Sequence, residues 1–299
     1  MMNHSTTYSV CPVCAAANLQ PVLEVKDFSV SGELFGVVEC PSCKVRLTQN
    51  IPCETAIQRY YQSADYISHT NTRKGMVNFL YHLVRRYTLY SKVQLIKSLT
   101  NKEIGMHLDL GAGTGSFVHA MEKAGWNTIG LEPDSGARET AVSTYNVAVY
   151  PSGDLFQLPD NSYDAITLWH VLEHIHQLNE TVAKLSSLLG SKGKLVIAVP
   201  NYTSADATHY NSNWAAYDVP RHLYHFAPQS VKTLLQNHGL RVVSVKRMWF
   251  DSFYVSMLSE KYKGGSMVQG VIQGFLSNLK ALFNKERCSS LIYIAERSS

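Results

Sequence analysis

Residues 104–117 read IGMHLDLGAGTGSF, and this stretch carries the clearest structural signal in the 299-residue chain. A mostly apolar run ends at Gly111, Gly113 and Gly115, and apolar residues at helical spacing follow. The order predicts a strand, a tight turn and a helix. Glycines in such a turn let the backbone bend sharply, and they let a ligand approach the main chain beside the free N–H groups of the helix N-terminus.

Two features narrow the ligand of this turn. Its G-x-G-x-G spacing differs from the G-x-G-x-x-G of dinucleotide folds, and the Lys-Ser/Thr pair of a P-loop is absent. Asp109 lies two residues before the first glycine, where a carboxylate disfavours a phosphate and suits a cationic ligand. A second predicted strand ends at Glu132, which can accept hydrogen bonds from both hydroxyls of a ribose.

Strand and helix patterns alternate through the region that follows. We predict strands at 104–110, 127–132, 147–150, 164–169 and 194–199, and helices at 116–125, 134–145 and 177–189. Such alternation is typical of an α/β fold with a mostly parallel sheet and helices on both faces. Ligands of these sheets bind at the carboxyl ends of the strands. Asp109, Glu132, Asp154, Trp169 and His170 all fall at these ends or in the loops just after them.

Four motifs in this region resemble, in order and spacing, those of the class I S-adenosylmethionine-dependent methyltransferases. They are LDLGAGTG (108–115), Glu132, Asp154-Leu155 and WHVLEH (169–174). The resemblance covers about residues 103–250 and implies a Rossmann-like seven-stranded sheet, whose final strands at 240–250 and 291–296 form an antiparallel pair. It also implies S-adenosylmethionine as the cofactor and transfer of its methyl group as the activity.

The resemblance implies which residues bind the cofactor. The glycines of the turn and Asp109 would contact its methionine part, Glu132 its ribose, and Asp154 its adenine amino group. The full set implied for cofactor binding is Asp109, Gly111, Gly113, Gly115, Glu132, Pro133, Asp154, Leu155, Trp169 and His170.

The segment from His170 to His174, HVLEH, has more than one interpretation. H-x-x-E-H is also a zinc-peptidase motif, and the two imidazoles would be i, i+4 neighbours on a helix. The motif directly follows a predicted buried strand, as the Glu-His pair of the resembling methyltransferases does, which disfavours a peptidase. Some quinone-pathway and small-RNA methyltransferases hold a divalent metal here with a Glu-x-x-Glu-His cluster. His170 stands at the first Glu position, so we predict activity without added magnesium.

The loop after the predicted strand 194–199 holds the candidate acceptor-side residues. Residues 219–226 read VPRHLYHF, and histidine is the usual general base near neutral pH. Resembling methyltransferases carry a substrate-facing, His-containing segment here. We predict His222 or His225 as the base and His174 as a further catalytic candidate. Each imidazole in the loop could instead have a purely structural role.

Four of the six cysteines form two C-P-x-C knuckles, Cys11–Cys14 and Cys40–Cys43. Their spacing is that of a zinc ribbon, in which four thiolates surround a structural ion and leave no open position for chemistry. The alternatives are disulfides, which a reducing cytosol disfavours, and a redox C-x-x-C, which the duplicated knuckle disfavours. We therefore predict a zinc ribbon at residues 1–52, whose folding energy comes largely from the metal. Its predicted strands are 22–25, 28–30 and 34–38.

Apolar residues recur at helical spacing through residues 53–102, which predicts a helical cap segment before a methyltransferase domain at 103–299. Four residues of this segment either line the substrate mouth or pack the ribbon against the core: Tyr60, Tyr61, Tyr66 and His69. Seven basic residues form either a phosphate-binding patch or the solvated face of amphipathic helices: Arg73, Lys74, Arg85, Arg86, Lys92, Lys97 and Lys102.

The composition fits a soluble globular protein, with 45% hydrophobic and 17% charged residues. A formal net charge of +4 does not by itself indicate nucleic acid. No stretch has the length of unbroken apolar sequence that a membrane span needs, and the N-terminus lacks a signal-peptide pattern. We expect a cytoplasmic protein that makes no membrane contact and is a monomer or homodimer.

The functional prediction is an S-adenosylmethionine-dependent methyltransferase with structural zinc that acts on a small molecule. O- or C-methylation of a sugar nucleotide, a quinone-like phenol or another biosynthetic intermediate would fit. RNA or protein methylation is an alternative because of the ribbon and the basic helices. A non-catalytic module that senses the cofactor is another alternative, which the base-rich loop disfavours. Residues 251–285 are predicted to be helical, and the sequence assigns them no function.

Overall fold

The structure, a computed structural model, describes residues 5–61 and 76–298, with residues 76–83 described by their backbone alone. Its N-terminal part holds five short strands: β1 (Ser5–Thr6), β2 (Gln20–Lys26), β3 (Leu34–Glu39), β4 (Arg46–Thr48) and β5 (Ile51–Pro52). Strands β2, β3 and β4 are antiparallel neighbours, and β1 pairs with β5. One cysteine knuckle precedes β2 and the other connects β3 to β4, an arrangement that suits a zinc ribbon.

The strand predicted at 28–30 is wrong, because these residues form a turn. The carboxylate of Asp27 accepts hydrogen bonds from the backbone N–H groups of Ser29, Val30 and Ser31 at 3.0, 3.2 and 2.8 Å. An Asp side chain that binds backbone N–H groups just ahead of it builds a local turn, which competes with extended structure. The turn brings the chain back into β3.

Helices alternate with strands through the rest of the described chain. The helices are α1 (Met76–Thr100), α2 (Ser116–Lys123), α3 (Ser135–Tyr145), α4 (Leu178–Leu188), α5 (Ala205–Tyr210), α6 (Pro228–Asn237), α7 (Asp251–Lys263) and α8 (Met267–Phe283). The strands are β6 (Met106–Leu110), β7 (Asn127–Leu131), β8 (Val149–Tyr150), β9 (Tyr163–Trp169), β10 (Leu189–Pro200), β11 (Tyr224–His225), β12 (Leu240–Arg247) and β13 (Ser290–Arg297).

The central sheet has seven strands in the order β12-β13-β10-β9-β6-β7-β8. The five strands from β10 to β8 in this order are parallel to their neighbours. Strand β13 runs antiparallel to both β10 and β12. The predicted α/β class, with a Rossmann-like seven-stranded sheet and an antiparallel final pair, is confirmed.

Helices cover both faces of this sheet. On one face, α1 and α2 contribute Ile96 and Met121 to a buried cluster with Val196 of the sheet. On the other face, α4 and α6 contribute Leu185 and Leu234 to the larger core. Full burial of each such side chain stabilises the fold by about 1.5–3 kcal/mol. The carboxyl edge of the parallel strands is therefore held from both sides.

The N-terminal ribbon and the part of the chain that follows α1 share a sheet and a core. Strand β11 pairs antiparallel with β4, so that Tyr224 lies opposite Leu47 and His225 opposite Arg46. The side chain of Leu47 is fully buried in the same core that α4 and α6 line. The sequence analysis did not predict β4 or this pairing. The ribbon therefore folds against the loop that follows β10.

A 3-10 helix (Ile57–Tyr61) and α1 occupy the predicted cap segment. Tyr66, His69, Arg73 and Lys74, which the sequence analysis named, lie outside the described residues. The division of the chain after residues 52 and 102 stays a prediction. Of the described helices, none is both long enough and apolar enough to cross a membrane.

Candidate active site

The glycine turn after β6 is packed on two sides and open at its centre. Gly111, Gly113 and Gly115 all have positive φ, at 75°, 53° and 76°. A Cβ at Gly111 would lie 2.2 Å from a methyl group of Val171, and one at Gly115 would lie 2.7 Å from Cβ of Ala141. A Cβ at Gly113 would meet no atom within 4 Å. The turn therefore needs glycine at its ends and leaves the backbone of Gly113 accessible.

The carboxylate of Glu132, directly after β7, lies against this turn. It accepts hydrogen bonds from the backbone N–H of Gly113 at 2.9 Å and of Asp134 at 3.0 Å. Burial raises the pKa of Glu132. The structure thus brings two predicted cofactor residues together, and Pro133 continues the chain from them into α3.

Asp109, near the end of β6, is a buried carboxylate. It accepts a hydrogen bond of 2.6 Å from the hydroxyl of Thr167, whose oxygen lies 2.9 Å from Nε2 of His107. The single hydroxyl proton of Thr167 goes to Asp109, so Nε2 of His107 donates. Burial raises the pKa of Asp109 to about 7 and lowers that of His107 to about 3. A cationic ligand beside Asp109 would favour its ionised form.

Lys92 of α1 turns towards the same edge of the sheet. Its ammonium lies 4.0 Å from the ring centroid of Trp169 and 5.8 Å from that of Phe117. Burial lowers the pKa of Lys92 to about 8, although the carboxylates of Asp109 and Asp251 act in the opposite direction. The sequence analysis grouped Lys92 with the other basic residues of the segment. Lys92 lies three residues after Leu89 and four before Ile96, on the apolar face of α1. The sequence analysis did not use this spacing, which indicates that Lys92 points towards the core.

His170 follows β9 and has an unusual backbone conformation for a non-glycine residue, with φ of 59°. Its Nε2 lies 2.9 Å from the carboxylate of Asp251, at the start of α7, and its Nδ1 lies 3.5 Å from that of Glu173. Burial lowers the pKa of His170, but Asp251 and Glu173 outweigh it and raise the value to about 10. His170 is therefore an imidazolium near neutral pH.

The helical pairing considered for His170 and His174 is wrong. Only a three-residue 3-10 helix (Leu172–His174) is present, and His170 pairs with Asp251 instead. The left-handed backbone at His170 ends the regular structure and turns the two imidazoles to different partners. Asp251 itself carries no motif in the sequence, and only the packing of α7 brings it to the site.

Glu173, His174 and His222 form a cluster beside this point. One ligand atom of each lies within 4.8 Å of those of the other two, and Glu173 is fully buried. Nδ1 of His174 lies 3.0 Å from the carbonyl oxygen of Arg221, and Nδ1 of His222 lies 2.9 Å from that of Ala216. A carbonyl only accepts, so both Nδ1 atoms carry protons, and the nitrogen of each ring that is able to hold a lone pair is Nε2.

The charges of the cluster follow from its burial. Burial lowers the pKa of His174 to about 4, and the neighbouring His222 acts in the same direction. Burial raises the pKa of Glu173, but His170, His222 and His174 outweigh it and hold the value below its usual range. The cluster therefore combines a carboxylate with the neutral imidazole of His174, and it can accept a proton or hold a cation.

His225 lies on the ribbon side of the loop. Its Nε2 is 3.0 Å from the hydroxyl of Thr48 in β4, and its ring packs edge-on against Tyr217. Burial lowers the pKa of His225 well below the usual value. Of the two imidazoles considered as the base, His222 is the one that the structure brings next to Glu173 and His174.

The adenine-side residues Asp154 and Leu155 lie in a 3-10 helix (Ser152–Gln157) directly after β8. Leu155 is buried and Asp154 is half-buried. Strand β8 is the neighbour of β7, which ends at Glu132. Asp109 near the end of β6, Glu132 after β7 and Asp154 after β8 thus lie at the carboxyl ends of three adjacent parallel strands, in the order expected for a nucleoside laid across that edge.

The four knuckle cysteines come together at one point. The sulfurs of Cys11 and Cys43 are 3.5 Å apart, as are those of Cys14 and Cys40, and all four lie within 4.8 Å of one another. Four thiolates at about 2.3 Å from a shared tetrahedral ion would have similar separations. The cysteine cluster therefore fits a zinc ion.

Comparisons with known sequences show which protein family this chain is similar to. A family model described as a methyltransferase domain matches residues 82–245, more than half of the chain. An uncharacterized methyltransferase of Bacillus cereus is 27% identical over 164 residues, which cover 50% of this chain and 75% of the relative. One of Geobacillus thermodenitrificans is 27% identical over 162 residues, with the same coverage of both chains.

Solved structures agree in fold. A candidate sarcosine dimethylglycine methyltransferase of Galdieria sulphuraria has a TM-score of 0.51 at 14% identity, over 72% of this chain and 86% of that one. A chain in the complex of the Haloferax volcanii Trm112 methyltransferase activator with a candidate methyltransferase has a TM-score of 0.50 at 14% identity, over 68% and 88%. The chain belongs to the methyltransferase domain family and is an S-adenosylmethionine-dependent methyltransferase.

Proposed function

We propose that this enzyme methylates a small polar molecule and that His222 removes the proton of the acceptor group. The observation that carries the proposal is the buried cluster of Glu173, His174 and His222, with Nε2 lone pairs beside a carboxylate. The 3-10 helix of Glu173 and His174 begins directly after Val171, whose methyl groups pack against Gly111 of the glycine turn. A base at this position can reach an acceptor that lies against the methyl group.

The role that we propose for each residue follows from its charge. S-adenosylmethionine supplies a methyl group on a sulfonium, which an acceptor attacks in line. Asp109 would bind the cationic methionine end and Glu132 the ribose. His222 would take the acceptor proton on Nε2, and the nearby carboxylate of Glu173 would stabilise the imidazolium that results. His174, which is neutral, would orient the acceptor, while His170 is already charged and cannot act as a base.

Two observations favour a small acceptor over RNA or protein. One edge of the ribbon sheet is paired with β11, and the buried side chain of Arg221 pairs with Asp27 of the ribbon. This side of the ribbon therefore contacts the rest of the chain and is not available to RNA or to a protein partner. Two basic residues at and just beyond the end of α1 are also paired, Lys97 with Glu103 and Lys102 with Asp164, at 2.8 and 2.6 Å. On the described part of α1 this leaves Arg85 and Arg86 as the surface cations for a phosphate backbone, which is a small patch.

The four knuckle cysteines would hold a structural zinc ion in this proposal. Zinc bound by four thiolates has no open position, so it would stabilise the ribbon and take no part in methyl transfer. Its effect on the reaction would be indirect, through the loop that β4 holds.

The experiment follows a labelled methyl group from S-adenosylmethionine into a metabolite extract, and then measures turnover of His222→Gln on the acceptor found. His209→Gln, an exposed histidine of α5, is the matched control. We expect His222→Gln to lower turnover by about 10²–10⁴-fold, with calorimetric affinity for S-adenosylhomocysteine unchanged. His209→Gln should be close to wild type.

Two results would contradict the proposal. Label that enters the RNA or protein fraction and leaves the small molecules unlabelled would refute the acceptor class. Turnover of His222→Gln within about threefold of wild type would refute the base, whatever the acceptor.

A further inference from the structure

Helix α8 has a buried face of small residues that contacts α7 closely. The buried residues are Gly270, Gly274, Ser277 and Ala281. A Cβ at Gly270 would lie 2.5 Å from Cα of Met257, and one at Gly274 would lie 2.8 Å from Cα of Phe253. The two glycines therefore let the helices pack backbone against backbone. This contact accounts for one side of α8 only.

The opposite side of α8 exposes nine apolar residues, here called the α8 face. They are Met267, Val268, Val271, Ile272, Phe275, Leu276, Leu279, Leu282 and Phe283. At 3.6 residues per turn they cover roughly half of the circumference. With roughly 200 Å² for a fully exposed residue of this size, their exposed fractions, which reach 93% at Phe283, correspond to an area on the order of 1,000 Å².

An area of this size needs a partner. The largest apolar patch of a typical monomer is about 300–600 Å². Within residues 5–61 and 76–298, no other element covers the α8 face, since each of its nine residues is exposed. The motif analysis, the cofactor residues and the ribbon leave this helix without a role.

We propose that the α8 face is the contact surface of a homodimer, in which it packs against the same face of a second copy. A stable interface buries about 800 Å² on each partner, which this face supplies almost alone. The helix has 17 residues and is about 25 Å long, so two copies can lie along each other about a two-fold axis. Because the nine residues are uncharged, the face meets its own copy without like-charge repulsion.

The charge around the face favours a second copy over a lipid surface. Helices that lie on membranes carry many Lys and Arg beside their apolar stripe, which bind anionic headgroups. Helix α8 contains one charged residue, Lys280, and the polar residues Gln269 and Gln273 that flank the face are neutral. A protein contact needs no such basic border.

The test is sedimentation equilibrium of the full chain between about 1 and 50 μM, for wild type, Phe275→Glu and Val142→Glu. Val142 is an exposed apolar residue of α3, 54% exposed, and serves as the control for a surface Val-to-Glu change. We expect wild type and Val142→Glu to be dimers and Phe275→Glu to be a monomer. Calorimetric binding of S-adenosylhomocysteine and circular dichroism report whether each variant is folded, and Val271→Glu replaces Phe275→Glu if that variant is not.

Each other outcome overturns the proposal. A wild-type monomer across the whole range refutes it. So does a monomer that instead sediments with vesicles of phosphatidylcholine and phosphatidylglycerol, which would assign the face to lipid. A dimer that persists in the folded α8 variant would mean that a different surface forms the interface.

Discussion

Arg221→Met tests whether a buried ion network joins the ribbon to the loop that carries the candidate base. The guanidinium of Arg221 is 1% exposed. It donates to Asp27 of the ribbon at 2.9 Å, to Asp218 of the loop at 2.7 Å, and to the carbonyl oxygen of Tyr60 in the cap segment at 2.7 Å. Three parts of the chain therefore meet at one side chain, directly before His222.

The size of the effect follows from what the substitution leaves behind. Methionine keeps much of the apolar stem but leaves Asp27 and Asp218 without their shared cation. Removing one partner of a buried ion pair costs about 3–5 kcal/mol. Against a total stability of about 5–15 kcal/mol, this is a large share. At about 2–4 °C per kcal/mol for a chain of this size, the unfolding midpoint should fall by roughly 6–20 °C.

The loss should depend on pH with a defined sign. Burial raises the pKa of Asp27 and Asp218, but Arg221 outweighs it and holds both below their usual range. Their contribution to stability is therefore present above the unfolded pKa and is lost as pH falls through the folded one. In the variant only burial remains, so protonation of the two carboxylates is favoured. The difference in unfolding free energy between wild type and variant should be largest near pH 7 and shrink towards pH 4.

Urea and thermal unfolding at pH 7, 5 and 4 measure this difference. Lys232→Met is the control, because its ion pair with Glu286, at 3.4 Å, is exposed and should contribute at most about 1 kcal/mol. If Arg221→Met stays within about 1 kcal/mol of wild type at pH 7, or if the gap widens on acidification, the network does not hold the loop as described.

Three further predictions concern the cofactor, the zinc ion and magnesium. Because burial raises the pKa of Asp109 to about 7, calorimetric affinity for S-adenosylhomocysteine should fall by about tenfold from pH 8 to pH 6. Asp109→Asn should bind weakly at both pH values. A wild-type affinity that does not depend on pH would contradict this prediction. Elemental analysis should find one zinc ion per chain, lost in Cys40→Ser and kept in the control Cys53→Ser, and a metal-free wild type would rule zinc out. Turnover should need no added magnesium, because the His170 side chain is paired with the carboxylate of Asp251. Activity that a mild chelator removes and Mg²⁺ restores would refute this prediction.

The sequence predicted which residues meet at the carboxyl edge of the sheet, because a local rule governs their position. The carboxyl ends of neighbouring parallel strands meet at one edge, so strand ends identified one at a time already bring Asp109 and Glu132 close. The observed contact between Gly113 and Glu132 is what that rule implies. The cysteine knuckles follow a similar rule, since each C-x-x-C turn gathers two thiolates by itself.

Apart from the turn at 28–30, the missed features depend on contacts between distant parts of the chain. Lys92 reaches the site from α1 and Asp251 from the start of α7, and neither stands in a recognisable motif. The pairing of β4 with β11 joins residues about 180 positions apart, through strands of only three and two residues. Periodicity cannot identify strands this short. The turn at 28–30 was misread because the Asp27 side chain, and not the apolar pattern, determines its backbone.

The structure supports the two halves of the proposed reaction from different sides. The predicted cofactor residues lie at the carboxyl ends of β6, β7 and β8, which are neighbours in the central sheet and are packed against its helices. His222, the proposed base, lies in a loop held by the ribbon, where the backbone N–H of Thr48 donates to the carbonyl of Leu223 and its hydroxyl donates to the carbonyl of His222. Disturbing the ribbon should therefore displace the base more than the cofactor. A Cys40→Ser chain that binds S-adenosylhomocysteine normally but has lost turnover would carry the signature of that separation, whereas a parallel loss of both would mean that the ribbon supports the whole core.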